Sequence, residues 1–249
     1  MMKVILHGYS GHMGLEVRRA AEKSQDVEIV CGVDAMTDGT DAKCVKSFGE
    51  CNAEADCIID FSHHSLTGDL AAFAVEKKLP LIIATTGQTE YEKNIIAEAA
   101  KQVPVFMASN FSLGIAAETD LIKRAAALFP DADIEIVETH HNRKIDAPSG
   151  TALSLFAALK EVRADANAVC GRSENGKREK NDIGIHALRM GNYVGVHEVV
   201  ISTDNESLTI RHQAFSRAVF ADGAIQIVPF IVKKAPGLYG MKDFLEAND

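Results

Sequence analysis

The chain has 249 residues, of which 47% are hydrophobic and 24% charged, a composition typical of a globular protein with one large or two modest domains. Its formal net charge of −9 argues against a nucleic-acid-binding surface. Five cysteines without a C-x-x-C pair argue against a disulfide framework and a zinc knuckle, and no apolar run suits a signal peptide or a membrane span, so we expect a cytoplasmic location.

The chain opens with the pattern strand, glycine loop, helix, strand, acid. Strands are predicted at residues 3–7 and 27–33, and the second one ends at Asp34. Between them lies a G-x-x-G-x-x-G loop that leads into a helix. Glycines let the backbone approach a pyrophosphate, the helix N-terminus stabilises its charge, and the acid can bind a ribose hydroxyl. The pattern therefore predicts a dinucleotide site that comprises Gly8, Tyr9, Ser10, Gly11, His12, Met13 and Asp34.

The residues after Asp34 bear on which dinucleotide is bound. Ala35 and Met36 follow the acid, and the next basic residue is Lys43. A 2′-phosphate would need a nearby cation and would be repelled by the Asp34 carboxylate. We therefore expect NADH to be the preferred cofactor, with NADPH as the alternative.

Short apolar strands then alternate with helices as far as residue 111. The strands are predicted at residues 56–61, 79–84 and 104–108, with helices at 66–78 and 91–102. This alternation predicts an α/β fold with a Rossmann-type doubly wound parallel sheet, in which ligands bind beyond the carboxyl ends of the strands. Two segments at such ends can contact a ligand or form ordinary turns. They are Ala84, Thr85 and Thr86, and Ala108, Ser109, Asn110 and Phe111.

A second group of candidate catalytic and binding residues follows a helix that is predicted to reach residue 128. An alternating strand from Ile134 runs into His140, His141, Arg143 and Lys144. A further helix is predicted just after Pro148, where Ser149 and Thr151 are good capping types. A helix start beside cations suits a small carboxylate or phosphate, and a histidine can act as a general acid. A solvated basic loop before a capped helix explains the same residues.

Beyond residue 160 the alternation of strands and helices breaks. Residues 172–182 are predicted as an exposed loop, and strands at 185–190, 194–203 and 207–214 predict a mixed, mostly antiparallel sheet with one open face. This second part is therefore α+β. The chain ends with a predicted helix at residues 220–233, a turn at 237–240 and a short helix at 241–245.

The segment from Glu135 to Ala152 carries a family resemblance. Its pattern E-x-x-E-x-H-H-x-x-K-x-D-A-P-S-G-T-A resembles the signature of the dihydrodipicolinate reductases, also named 4-hydroxy-tetrahydrodipicolinate reductases, and the glycine spacing is similar to theirs as well. The resemblance covers essentially the whole chain. It implies NAD(P)H-dependent reduction of a small cyclic dicarboxylate, 4-hydroxy-tetrahydrodipicolinate, in diaminopimelate and lysine biosynthesis, by a homotetramer.

The resemblance also implies roles for residues and boundaries for domains. His140 is the expected proton donor, and Lys144 is expected to pair with a substrate carboxylate and stabilise transition-state charge. The substrate-binding candidates are His141, Ser149, Gly150 and Thr151, while the segments at 84–86 and 108–111 line the cofactor. Residues 1–111 with 218–249 form the expected dinucleotide-binding domain, and residues 112–217 form the substrate-binding and oligomerisation domain.

Two other classes of protein are alternatives to the reductase. A non-catalytic dinucleotide sensor would keep the glycine loop and Asp34 but would not need the His-His-x-x-Lys cluster. A hydrolase could use His140, His141 and Asp146 as metal ligands, although adjacent strand residues diverge and make a poor site. We therefore expect no metal.

Overall fold

The computed structural model describes residues 1–173 and 175–247, so residue 174 of the predicted 172–182 loop and the last two residues lie outside the description. The chain divides into two compact units, residues 1–113 with 217–249 and residues 114–216. The elements in chain order are β1 (Met2–His7), α1 (His12–Lys23), β2 (Val27–Val33), β3 (Cys44–Val45), β4 (Cys57–Asp60), α2 (Thr67–Lys77), β5 (Leu81–Ile83), α3 (Glu90–Ala100), β6 (Pro104–Met107), α4 (Leu113–Leu128), β7 (Asp133–His140), α5 (Gly150–Val162), β8 (Asn167–Cys170), β9 (Asp182–Arg189), β10 (Gly195–Ser202), β11 (Ser207–Ala214), α6 (Ala218–Ile231), β12 (Gly237–Tyr239) and α7 (Met241–Glu246).

The first unit is a seven-stranded parallel sheet with strand order β12-β6-β5-β4-β1-β2-β3. Helices α1 and α6 pack on one face of the sheet, and α2 and α3 pack on the other. The central strands are buried on both sides, which is why they are almost continuous apolar runs. The predicted Rossmann-type sheet is confirmed.

The second unit is a five-stranded mixed sheet with strand order β11-β10-β7-β9-β8. Two ladders are antiparallel, β11 with β10 and β10 with β7, whereas β9 pairs in parallel with both β7 and β8. Helices α4 and α5 bury one face of this sheet through Ile122, Leu155 and Leu159. The opposite face has no covering element among the described residues of this unit. The predicted α+β unit with a mixed sheet is confirmed.

Three short strands were not predicted. The segment expected as a turn at residues 237–240 is instead β12, which pairs in parallel with β6 and occupies the edge of the first sheet. β3 and β8 also lie at sheet edges. Strands of two to four residues are too short to show an alternation pattern. They form because their backbone pairs with a neighbouring strand, and the sequence does not show that pairing.

Two general expectations concern the membrane and the cysteines. Within residues 1–173 and 175–247, no helix has the length and apolar character needed to cross a membrane. All five cysteines are free thiols.

Pro229 lies inside α6, so the helix continues past this residue to Ile231.

Candidate active site

Two glycines shape the turn between β1 and α1. Gly8 has φ +81°, and a Cβ there would lie 2.4 Å from the carbonyl oxygen of Phe61. A Cβ on Gly14 would lie 2.2 Å from the carbonyl oxygen of Gly8. Helix α1 then starts after Gly11 without any side-chain cap, so its first N–H groups point into the turn. The result is a backbone cradle that fits a pyrophosphate.

The Asp34 carboxylate lies beside this cradle at the end of β2. It accepts hydrogen bonds from the N–H groups of Ser10 at 2.8 Å and Met36 at 2.9 Å, which fix its orientation. A carboxylate held in this way fits the hydroxyls of a ribose. The turn and the acid together therefore fit the expected dinucleotide; Ser10 lies in this turn, and His12 and Met13 begin α1.

Two predicted cofactor residues have side chains that belong to the core. Tyr9 is 5% exposed, its hydroxyl donates to Asp41 at 2.7 Å, and its ring fills the space left by Gly32. Phe111 is 2% exposed, and its carbonyl oxygen would lie 1.8 Å from a Cβ on Gly223. These positions can reach a cofactor only through backbone atoms.

The other predicted cofactor segments follow β5 and β6 at their carboxyl ends. The Ala84 N–H donates to the carbonyl of Asp60, and the buried Thr85 hydroxyl makes no hydrogen bond with any described residue. The Asn110 side chain accepts the Ser112 N–H at 2.8 Å and so turns the chain towards α4. The remaining members are Thr86, Ala108 and Ser109.

Strand β7 places an acid and a histidine on the buried side of the second sheet. Alternation puts Ile134, Ile136, Glu138 and His140 on the face that α4 and α5 cover. Glu138 is 0% exposed and His140 is 8% exposed. The face is thus apolar at the start of the strand and polar where the strand ends.

The Glu138 carboxylate accepts four hydrogen bonds. One oxygen lies 2.5 Å from His140 Nδ1 and 2.7 Å from a guanidinium nitrogen of Arg189. The other accepts from the Ser149 N–H at 3.0 Å and from the second Arg189 nitrogen at 2.7 Å. Burial alone would raise the pKa of Glu138, but the hydrogen bonds from His140, Arg189 and Ser149 outweigh it and lower the pKa to about 2. Glu138 is therefore an anion at every physiological pH.

A second buried histidine lies beside this group. His197 on β10 has its ring centroid 5.3 Å from that of His140, and its Nε2 lies 3.1 Å from the Ser149 hydroxyl oxygen. Burial, followed by the charge on His140, lowers the pKa of His197 to about 4. His197 is therefore neutral near pH 7.

The loop after β7 carries the predicted cations. The Lys144 ammonium lies 2.7 Å from a carboxylate oxygen of Asp146. Arg143 is exposed and donates to Asn192. The His141 N–H donates to the carbonyl of Tyr193. Lys144 and His141 are half-buried, whereas Arg143 lies in solvent.

Helix α5 begins directly behind the loop. Ser149 is its N-cap and accepts the Ala152 N–H at 3.2 Å, while Gly150 is exposed and Thr151 half-buried. The first turn of a helix carries a partial positive charge. With Lys144 nearby, this turn is suited to bind a carboxylate.

Three residues of this cluster were not singled out from the sequence: Glu138, Arg189 and His197. Glu138 shares the parity of Ile134, Ile136 and His140, so strand alternation alone could have placed it beside the histidine. Arg189 and His197 come from other strands, and only the sheet register brings them close. Among the described residues, no group of three or more histidine, cysteine or acidic side chains is arranged to hold a metal ion.

Comparison with known proteins relates both units of the chain to one family. Residues 2–111 match the family model "Dihydrodipicolinate reductase, N-terminus", and residues 114–245 match "Dihydrodipicolinate reductase, C-terminus". The 4-hydroxy-tetrahydrodipicolinate reductase of Caldanaerobacter subterraneus is 42% identical over 99% of both chains, and that of Clostridium tetani is 40% identical over 99% of this chain and 98% of its own. A dipicolinate-bound dihydrodipicolinate reductase from Paenisporosarcina sp. TG-14 has the same fold, with a TM-score of 0.83 and 22% identity over 98% of this chain and 99% of its own.

Proposed function

The chain belongs to the dihydrodipicolinate reductase family, and from that membership we propose its reaction: the reduction of 4-hydroxy-tetrahydrodipicolinate to tetrahydrodipicolinate with NADH or NADPH, in diaminopimelate and lysine biosynthesis. The chain is thus an oxidoreductase. The observation within the molecule that carries the proposal is His140, whose Nδ1 is held by Glu138 while its Nε2 makes no hydrogen bond with any described residue. This imidazole lies on the strand that leads into the cationic loop and the start of α5.

His140 is the proton donor of the proposed mechanism. The 4-hydroxyl group of the substrate leaves as water, which gives a conjugated ring, and the reduced dinucleotide, when bound, would supply a hydride to that ring. The ring then carries an electron pair that must be protonated, and His140 donates the proton of its Nε2 and regains one from solvent. The electron pair of the transferred hydride and this proton complete the two-electron reduction.

The two substrate carboxylates have two cationic places to bind. Lys144 exchanges its contact with Asp146 for one carboxylate and stabilises the negative charge that builds up in the transition state. The N–H groups and hydroxyls of Ser149, Gly150 and Thr151 at the start of α5 bind the other. His141 is a further substrate contact. The substrate of the named relatives carries two carboxylates, which supports this arrangement.

We propose the dinucleotide site in the first unit, with the pyrophosphate at Gly8 to Met13 and the ribose at Asp34. The segments at residues 84–86 and 108–111 line the nicotinamide half. Residues 1–111 with 218–249 act as the cofactor domain, and residues 112–217 act as the substrate and oligomerisation domain. The enzyme is a cytoplasmic homotetramer that prefers NADH.

The function is tested by following the consumption of NADH by the purified protein when 4-hydroxy-tetrahydrodipicolinate, a cyclic imine, is supplied as the substrate. We expect His140→Gln to lower kcat by roughly 10²-fold while the KM for NADH changes little, since a positioned acid contributes about that much. Lys144→Ala should lower kcat and also raise the KM for the imine. A wild-type protein that binds NADH but does not consume it would indicate a dinucleotide sensor instead, and an unchanged kcat in either variant would remove that residue from the mechanism.

A further inference from the structure

The Glu138 carboxylate lies directly behind the proposed proton donor and touches no solvent. We propose that Glu138 is a positioning residue of the reductase reaction, which fixes the His140 ring with its Nε2 towards the substrate and stabilises the doubly protonated ring from which the proton is given. This inference rests on the proposed function, because that function makes His140 the acid. Arg189 and Ser149 hold Glu138 in place for this task.

The contact with Glu138 determines which nitrogen of His140 does the chemistry. Nδ1 lies 2.5 Å from an anionic oxygen, so it carries a hydrogen in both charge states of the ring. The proton that the ring gains and loses is therefore the one on Nε2. Gly195 keeps that nitrogen accessible, since a Cβ there would lie 3.1 Å from Nε2.

Arg189 prevents Glu138 from taking the proton for itself. Its two terminal nitrogens bind both carboxylate oxygens at 2.7 Å, which is the bidentate geometry that favours an ionised carboxylate. Glu138 consequently acts as a fixed negative charge and not as a proton relay. One Arg189 nitrogen also donates to the carbonyl of Asp146, in the loop that carries Lys144.

The same carboxylate aligns the acid with the proposed anion-binding turn. Its second oxygen accepts the N–H of Ser149, the N-cap of α5. A displacement of Glu138 would thus move His140 and the start of α5 relative to each other. Misplacement of a reacting group by about 1 Å can cost on the order of 10²-fold in rate.

The charged groups around His140 make the electrostatic effect of Glu138 predictable. Arg189 on β9 and Lys144 in the loop are cations, whereas His197 on β10 is neutral. His212 on β11 pairs with His197 one strand further away, and Asp146 is engaged by Lys144. Glu138 is the anion in direct contact with the ring. Replacing it with a neutral group leaves a protonated His140 facing cations, so the ring should lose its proton more readily.

The test is Glu138→Gln, which keeps the shape and removes the charge. We expect the pKa of His140, read from its ring resonances in an NMR titration, to fall by about one unit or more, and the alkaline limb of the kcat/KM profile to shift to lower pH by the same amount. The resonances are assigned by their loss in His140→Gln. The value of kcat should fall by roughly 10²-fold.

Glu135→Gln is the matched control. Glu135 lies on the same strand but faces the open side, where it contacts His186 at 2.8 Å and an arginine, Arg178, at 3.5 Å. It is thus a second Glu–His–Arg group outside the site, and its substitution should leave both the pKa of His140 and kcat unchanged.

A double variant separates positioning from simple charge balance. In Glu138→Gln the Arg189 cation loses its partner, and this alone destabilises the fold. Glu138→Gln combined with Arg189→Met removes both charges, so stability and the pKa of His140 should recover in part, while kcat stays low because Nδ1 still lacks the carboxylate that orients the ring. Recovery of kcat in the double variant, or an unchanged pKa of His140 in Glu138→Gln, would overturn the proposal. The NMR measurement needs no turnover, so it remains decisive even if the wild-type chain proves not to be a reductase.

Discussion

Glu118 is a residue of the second unit whose burial conflicts with its charge. It lies on α4, is 2% exposed, and neither carboxylate oxygen makes a hydrogen bond with any described residue. Burial raises the pKa of Glu118 to about 8. The native state therefore holds a proton on this side chain at neutral pH that the unfolded state has released.

This difference predicts a dependence of stability on pH. The native carboxyl titrates near 8 and the unfolded one near 4.5, so the native state binds more protons between these values and is destabilised as the pH rises through them. Glu118→Gln removes the effect. Its free energy of unfolding should match that of the wild type at pH 4.5 and exceed it by a few kcal/mol at pH 9, as measured by urea denaturation. An exposed control, Glu161→Gln, should show no such divergence; the same difference at both pH values for Glu118→Gln would contradict the assignment.

Asp34 gives a residue-scale prediction about the cofactor. The two side chains that follow it, Ala35 and Met36, are exposed and uncharged, so neither can bind a 2′-phosphate. Ala35→Arg supplies a cation beside the ribose position. We expect kcat/KM for NADPH to rise by about tenfold, the equivalent of roughly 1.4 kcal/mol, while that for NADH changes little. A wild type with a strong NADPH preference would refute the starting assumption.

At the scale of elements, two glycines in helices should respond oppositely to alanine. A Cβ on Gly14 of α1 would lie 2.2 Å and 2.5 Å from the carbonyl oxygens of Gly8 and Tyr9, so the turn must open to accept it. A Cβ on Gly68 of α2 meets nothing within 4 Å. Gly14→Ala should lower Tm and weaken NADH binding, whereas Gly68→Ala should stabilise the chain by up to about 1 kcal/mol without affecting NADH. Thermal unfolding and NADH titration of both variants check this, and equal effects would show that the turn is not constrained.

Elements with a strong internal period could be predicted from the sequence, and those without one could not. Strands β2 and β11 have the predicted bounds, because a mostly apolar run defines the first and turn residues flank the second. Strand β12 has three residues and depends on β6 for its backbone hydrogen bonds. Its glycine-rich sequence predicts a turn until that neighbour is known.

The candidate site shows the same limit. His140, Lys144 and Ser149 lie within one short segment, so the sequence was sufficient to group them. Glu138 and Arg189 are 51 positions apart and meet because β7 and β9 pair in parallel with His140 opposite Arg189. Register between distant strands is a property of the folded sheet, and no local pattern encodes it.

At the scale of the molecule, the open face of the second sheet carries apolar side chains that no described element of its own unit covers. Its residues include Val137, Val200 and Leu188, interspersed with Glu135 and Glu198. Half-exposed apolar side chains on a regular sheet are typical of an interface with a polar rim. A second copy of the chain is the partner that we propose for this face, in line with the expected homotetramer.

Val137 offers the sharpest test, because it lies on the central strand β7 with Glu198 and His186 as its cross-strand neighbours. The wild-type chain should have a mass in light scattering of about four times 26.9 kDa. Val137→Arg places a bulky charged side chain in the proposed interface and should reduce that mass to a dimer or a monomer, while the circular dichroism spectrum stays the same. Leu128→Arg, at an exposed apolar position on α4, should leave the mass unaltered. A tetramer that persists in Val137→Arg would place the assembly surface elsewhere, because a large charged side chain in place of valine is incompatible with a closely packed sheet face.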